Sequence, residues 1–325
     1  MNDNIAGAIG LKQIERKALI ACSLWGLVTL LVFVLGLMQQ PRSDMYVIAI
    51  SLLKIGSFLI AAVLCWRNAR NPDILSGQTV WQAIAAGMVF YALGDITVIL
   101  WRSLWGATSI VALGDVFYGA SYIFLAIGLL QAIIPRQTNL SLPQTLCISV
   151  AGVVGIVFAS WINFYTPQLA VADAVLPEAQ ATQTVTVETA SVESKAAAAG
   201  AVTKGAQAVP PLAKTINNRL SGIASRMGLV YVVGDCAVVI MAIALLIAFW
   251  GGSYSEAWKL VALAGLCLYV ADMFLIYEMG KGTYQQGQFW EIFWVLSALC
   301  FGLGAGVEQG VSERAKQRSH RKQWL

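Results

Sequence analysis

Residues 80–101 read VWQAIAAGMVFYALGDITVILW and carry one charged side chain, Asp95. As a helix, at about 1.5 Å per residue, such a stretch covers roughly the 30 Å hydrocarbon core of a bilayer. The tetrapeptide at its charged point, Ala-Leu-Gly-Asp at 92–95, recurs at 112–115, opening ALGDVFYGASYIFLAIGLL. Two aspartates therefore lie inside segments that otherwise look like membrane spans.

The rest of the chain fits that reading. Of 325 residues, 58% are hydrophobic and 12% charged, with mean hydropathy +0.71; soluble domains carry about 25% charged residues. Eight apolar runs are long enough to span, at about 19–38, 46–66, 80–101, 109–133, 142–161, 227–250, 257–277 and 288–308. The expected fold is all-α, a polytopic membrane protein of eight transmembrane helices. Cys22, Cys65, Cys147, Cys236, Cys267 and Cys300 each fall inside a run and form no CxxC pair. They read as small buried hydrophobes rather than disulfides or metal ligands.

Lys and Arg set the orientation. With the N-terminus inside, twelve flank the spans on the cytoplasmic side, five of them in the tail (Arg314, Lys316, Arg318, Arg321 and Lys322). The short connections on the other side hold three, Arg42, Arg102 and Lys281. The bias predicts both termini in the cytoplasm, of a bacterial plasma membrane or an internal one. The basic tail, residues 309–325, reads as a topology anchor beside an acidic leaflet. No nucleic-acid role is expected, since neither a folded reader nor interleaved aromatics accompany it. Residues 162–226 are rich in Ala, Thr, Val and Ser and poor in large apolar residues. They are expected to be a mostly disordered extracytoplasmic insertion, in which LAKTINNRLSGIASRMG could form a short amphipathic helix.

Spacings then repeat. Trp81 precedes Asp95 by fourteen residues, and Trp258 precedes Asp272 by fourteen. Asp115-Val-Phe-Tyr118 precedes Gly128 by thirteen residues from its acid, and Glu291-Ile-Phe-Trp294 precedes Gly304 likewise. These agreements predict two parallel four-helix repeats, helices 1–4 and 5–8, related by an axis along the membrane normal. The first repeat with helix 5 occupies residues 1–161, and the rest of the second 227–308.

The topology puts five carboxylates, Asp95, Asp115, Asp235, Asp272 and Glu291, and one cation, Lys54, in one layer roughly 5–12 Å below the outer boundary. Nothing comparable is expected in the inner half. Charges in lipid cost at least a few kcal/mol and usually face a bundle interior or cavity. The functional reading is an outward-opening polar pocket rimmed by Trp101, Trp105, Tyr118, Tyr122, Trp290 and Trp294. The plainer reading is interhelical hydrogen bonding by protonated carboxyls beneath an ordinary aromatic belt. Ligand-binding candidates are Lys54, Asp95, Asp115, Tyr118, Asp235, Asp272, Glu291 and Trp294. Lys54 and Asp235 are near-equivalent in the two repeats and are expected to pair across the axis.

The one histidine, His320, lies in the tail, so no Ser-His or Cys-His nucleophile and no His-based metal site is expected. No cofactor is expected, and no glycine-rich phosphate loop is present. Carboxylates in a dry site remain as candidates for general acid–base work.

ALGDVFYGASYIFLAIGLL and GKGTYQQGQFWEIFWVLSALCFGLG resemble the membrane modules N-terminal to bacterial diguanylate cyclases and histidine kinases. In those modules a late Asp is followed by a G-x-Y-x-x-G turn, here Gly282-Thr-Tyr284-Gln-Gln-Gly287, and by an acid-x-aromatic-aromatic helix start. The resemblance implies a sensor, and the short tail implies that output passes to a separate signalling partner. Lys54, Gly94-Asp95 and Ala271-Asp272 are also similar in placement to residues of the eight-helix lysoplasmalogenase-like family, which would imply hydrolysis of lipid vinyl ethers or esters. That family's small residue before the second Asp is Ala271 here, and its histidine near helix 4 is missing. The leading expectation is a non-enzymatic membrane protein that senses or binds a ligand, with the hydrolase second and a small-solute transporter third.

Overall fold

The computed structural model describes residues 2–38, 42–105, 112–134, 141–165, 210–248, 255–281 and 283–323. These residues are all-helical and without strands. The helices are α1 (Asn2–Leu37), α2 (Asp44–Ala69), α3 (Gln78–Trp105), α4 (Ala112–Ile133), α5 (Leu142–Tyr165), α6 (Pro211–Ala248), α7 (Ser255–Gly280) and α8 (Ile292–Gln323), the last entered through a 3₁₀ turn at Phe289–Glu291. Each of the eight contains a segment long and apolar enough to cross a membrane, from Ala18–Leu37 to Phe289–Gln317, as a multi-pass membrane protein requires. Every predicted span coincides with one of them.

Six helices pack in a closed ring in the order α2, α3, α4, α6, α7, α8 and back to α2. Trp81 of α3 and Trp258 of α7, both buried, meet in its middle with ring centroids 5.9 Å apart. Glycines allow the closest approaches. A Cβ on Gly128 of α4 would lie 3.1 Å from the Val80 carbonyl oxygen and 2.8 Å from Ile84 Cγ1 in α3. A Cβ on Gly304 of α8 would lie 3.0 Å from the Ala257 carbonyl oxygen and from Val261 Cγ2 in α7. Small residues at such crossings let backbones approach where the solvent supplies no hydrophobic drive.

The two remaining helices sit outside the ring in different ways. α1 packs on α8 and α2, pinned by Trp25, whose indole N–H is shared between the Leu53 carbonyl and the Ser57 hydroxyl of α2. α5 packs on α6 and α7. Both present large apolar side chains outward, among them Leu24, Leu31, Val153 and Val157.

Two helices run beyond their apolar segments, and one expectation changes. Helix α6 begins at Pro211, so the short helix expected within LAKTINNRLSGIASRMG is continuous with the sixth span instead of separate from it; Lys214, Arg219 and the polar residues of that first stretch do not break the helical run into the apolar segment. Residues 166–209 lie outside the described residues. The basic tail is also helical, as α8 continues through Gln323. The end of the ring expected, on the Lys/Arg bias, to hold nothing comparable to the carboxylate layer does hold buried polar groups. Asn68 donates to the Ala305 carbonyl at 2.8 Å, Ser76 N–H donates to Glu308 at 2.9 Å and Leu75 N–H to Ser312 at 3.3 Å. Lys316 pairs with Asp73 at 2.5 Å. The last turns of α8 thereby hold the connection between α2 and α3, a role that composition alone does not advertise.

Candidate functional site

At the opposite end of the ring the charged residues of the apolar segments converge. In α3, Asp95 Oδ1 takes the Lys54 ammonium of α2 at 2.9 Å and the Tyr118 hydroxyl of α4 at 2.7 Å. Lys54 and Asp95 are both buried, so each offsets desolvation that the other would bear alone. The ammonium also lies over the Trp294 ring of α8, 4.4 Å from its centroid, an added attraction that desolvation strengthens.

The second half of the layer is built on α7. Asp272 Oδ1 accepts the Trp294 indole N–H at 2.8 Å, and its Oδ2 meets the Tyr122 hydroxyl of α4. The same hydroxyl lies 2.5 Å from Asp235 Oδ1 of α6. Trp294 thus touches Lys54 with its ring face and Asp272 with its edge, joining the two groups into one network. Tyr118 and Tyr122 are one helical turn apart in α4, which puts them on one face and lets each serve a different aspartate. Tyr91 backs this face, stacked on Phe58 at 4.1 Å and 5.0 Å from the Tyr118 ring.

Residues 283–288 close the layer at its end. Gly287 has φ of 83°, and a Cβ there would lie 2.7 Å from Tyr46 Cε1, so the turn needs glycine on both counts. Its N–H donates to Glu291 Oε1 at 2.8 Å, and its carbonyl accepts from the Tyr46 hydroxyl at 2.9 Å. Gln286 donates to Ser51 of α2 at 2.8 Å and accepts from Arg102 of α3. Arg42 donates to Gln285 at 3.2 Å. Asp115 stands apart, partly exposed, accepting the Tyr231 hydroxyl at 2.8 Å.

All eight candidate residues are therefore near one another, seven in contact with the layer and Asp115 at its edge. Two expectations differ in geometry. Lys54 pairs with Asp95 rather than Asp235, because α3 neighbours α2 in the ring while α6 lies across it. The groups are also buried rather than lining an open mouth: Asp235 is 0% exposed and Glu291 1%, with the 283–288 turn packed against Glu291. Of the expected rim, Tyr122, Trp294 and Trp101 are buried, the first two inside the layer itself. Tyr231 was missed, although it precedes Asp235 by one helical turn and so shares its face. A cleft of about 300 Å³, lined by Pro143, Gln144, Cys147 and Ile247, is remote from these carboxylates.

No family model, curated protein or solved structure matches the chain. Function therefore rests on the site's own chemistry.

Proposed function

We propose that this chain is an integral membrane protein that binds a ligand through its outer polar layer and passes the event to a separate partner. The observation that carries this reading is the joined network of Lys54, Asp95, Trp294, Asp272, Tyr122 and Asp235, with Glu291 beside it. Four buried carboxyl groups are more than one ammonium needs for a partner, and buried ionisable groups in apolar segments are expensive. The excess of carboxyl groups favours a ligand that carries positive charge or hydrogen-bond donors.

The same proposal takes helices 1–4 and 5–8 as two parallel repeats. Supporting it, Tyr118 to Asp95 and Trp294 to Asp272 are the same contact at matching positions. So are the crossings at Gly128 and Gly304. The ring closes through α2 with α8 and α4 with α6, as a two-fold relation of the halves requires, while α1 and α5 depart from it. Even spans per half put both termini on one face, and the Lys/Arg bias makes that face cytoplasmic. On this topology residue 191 is external. An impermeant thiol reagent should label Ser191→Cys from outside in intact cells, in a background where Cys147 is replaced. Labelling that needs access from the cytoplasmic face would reverse the map.

Helix α8 links the layer to the cytoplasmic end. It carries Trp294 at one end, just after Glu291 of the 3₁₀ turn, and Glu308, Ser312 and Lys316 at the other, where they hold residues 73–76. A ligand that displaces Trp294 would move this one helix against the α2–α3 connection, which gives a partner something to read.

The test uses hexylammonium as a cationic probe and hexanoate as its anionic match. Hexylammonium should raise the thermal unfolding midpoint of the purified protein, and Asp272→Asn should remove most of the rise. Equal responses to the two probes, or a rise that survives in Asp272→Asn, would count against a cation-selective layer. The hydrolase reading has one observation in its favour, the two carboxyl groups Asp235 and Asp272 on one phenol, since paired carboxyls can divide acid and base roles. Aldehyde release from a vinyl-ether lysolipid by the purified protein would favour it over sensing.

A further inference from the structure

Tyr122 stands between two carboxyl groups and has one proton to give. Its hydroxyl oxygen is 2.5 Å from Asp235 Oδ1 and in hydrogen-bond contact with Asp272 Oδ2. A phenol supplies a single donor and an ionised carboxylate supplies none. Were both aspartates ionised, one contact would set two acceptor oxygens face to face among buried side chains, with Tyr122 5%, Asp235 0% and Asp272 6% exposed. The second contact requires a second proton.

The surroundings say which carboxyl holds it. Asp272 has the partners of an anion: the Trp294 N–H on one oxygen, the Tyr122 hydroxyl at the other, and the Lys54 ammonium over the same indole. Asp235 has no such set. Its Oδ1 has Tyr122, its carboxyl also meets that of Asp272, which is a second contact between acceptors unless one acid is protonated, and its Oδ2 is buried without a donor. Asp95 also leaves its Oδ2 without a donor, but its other oxygen holds the Lys54 ammonium; no cation among the described residues bonds Asp235, and a buried carboxyl without one is tolerable as the neutral acid rather than as an anion. The other half of the layer supplies the comparison. Asp95 also receives two donors, the Tyr118 hydroxyl and an ammonium from α2. Where α2 brings Lys54, α6 brings Asp235, which can fill a donor's place only when protonated.

We propose that Asp235 is a proton-binding site, and that Asp235, Tyr122 and Asp272 form a relay that moves this proton between α6 and α7. In the resting arrangement the Asp235 O–H donates to the Tyr122 oxygen and the Tyr122 O–H donates to the Asp272 carboxylate. In transfer, the Asp235 O–H bond breaks as its proton joins the Tyr122 oxygen, and the original Tyr122 proton passes to Asp272 Oδ2. Tyr122 is neutral before and after, the negative charge moves from Asp272 to Asp235, and no co-reactant is consumed. The groups facing the relay are Lys54 of α2, Tyr91 of α3, Tyr231 and Cys236 of α6, Tyr269 of α7 and Trp294 of α8, with Asp95, Tyr118 and Glu291 one contact further out, around Lys54 and Tyr91. Moving an anion away from Trp294 and toward α6 changes what Lys54 and Trp294 are attracted to, and so couples protonation to the helix that reaches the cytoplasmic end. The inference does not depend on the ligand class proposed above, and its test can fail separately.

Infrared spectroscopy of the whole protein in lipid nanodiscs, compared in H₂O and D₂O at neutral pH, reads the proton directly. The wild type should show a protonated-carboxyl C=O band that shifts in D₂O. Asp235→Asn should lose it, and Tyr122→Phe should move it by removing its hydrogen-bond partner. Stability gives a second readout. An asparagine at 235 keeps a donor for the Tyr122 oxygen in the shape of the neutral acid, so Asp235→Asn should keep the wild-type unfolding midpoint while Asp235→Leu lowers it. A carboxyl band unchanged in Asp235→Asn, an asparagine variant that loses as much stability as the leucine variant, or a sodium-dependent midpoint in a wild type without the band would each overturn the assignment.

Discussion

Replacing Lys54 with methionine is expected to destabilise the protein by about 3–5 kcal/mol, the usual cost of stripping one partner from a buried ion pair. Methionine keeps most of the lysine stem and its packing, so the change isolates the ammonium. What remains is Asp95, whose side chain is 4% exposed. Its Oδ1 would keep the Tyr118 hydroxyl, and its Oδ2 has no hydrogen-bond partner even in the wild type. One phenol does not compensate a carboxylate removed from water. The Trp294 ring would also lose the cation over its face. Thermal unfolding in detergent at fixed lipid content reads the effect. A methionine variant as stable as the wild type would mean that the ammonium contributes nothing to holding Asp95.

The second large effect is expected at Asp272. Asp272→Leu removes the acceptor of two donors, the Trp294 indole N–H and the Tyr122 hydroxyl. Both donors are buried; the indole N–H is left without its acceptor, which costs about 1–3 kcal/mol, while the Tyr122 hydroxyl keeps Asp235 and loses one of two contacts. Asp272→Asn keeps a carbonyl oxygen in place and can serve one of the two. The leucine variant should therefore unfold at a distinctly lower temperature than the asparagine variant. Equal losses would show that volume at this position matters and its hydrogen bonds do not.

Much of this layer could be read from the order of residues. Asp95 and Asp272 stand out because a charge in an apolar run is costly whatever surrounds it, and their matched distances from Trp81 and Trp258 gave them the same depth. What could not be read was which helix neighbours which. Lys54 and Asp235 looked like partners because they hold similar positions in the two halves. In the six-membered ring α2 and α6 lie opposite each other, with α3 and α7 meeting between them at Trp81 and Trp258. Tyr118 and Tyr122 were visible as aromatics at an interface, yet their hydroxyls became informative only once their carboxylate partners were placed. The 283–288 turn carried a clear signal in Gly287, whose positive φ demands glycine, but a turn motif does not say which helices it will cover. At the other end of the ring Glu308 and Asn68 looked unremarkable, since polar residues near the ends of apolar segments usually meet water.

Lys54 and Asp95 form one buried unit within a layer that joins the ring of helices. A double-mutant cycle of Lys54→Met and Asp95→Leu, read by thermal unfolding, tests it most directly. Removing both charges leaves no uncompensated ion, so the double variant should recover most of the stability that each single variant loses. Single losses that simply add in the double variant would contradict the pairing, and with it the network through which the layer is proposed to act.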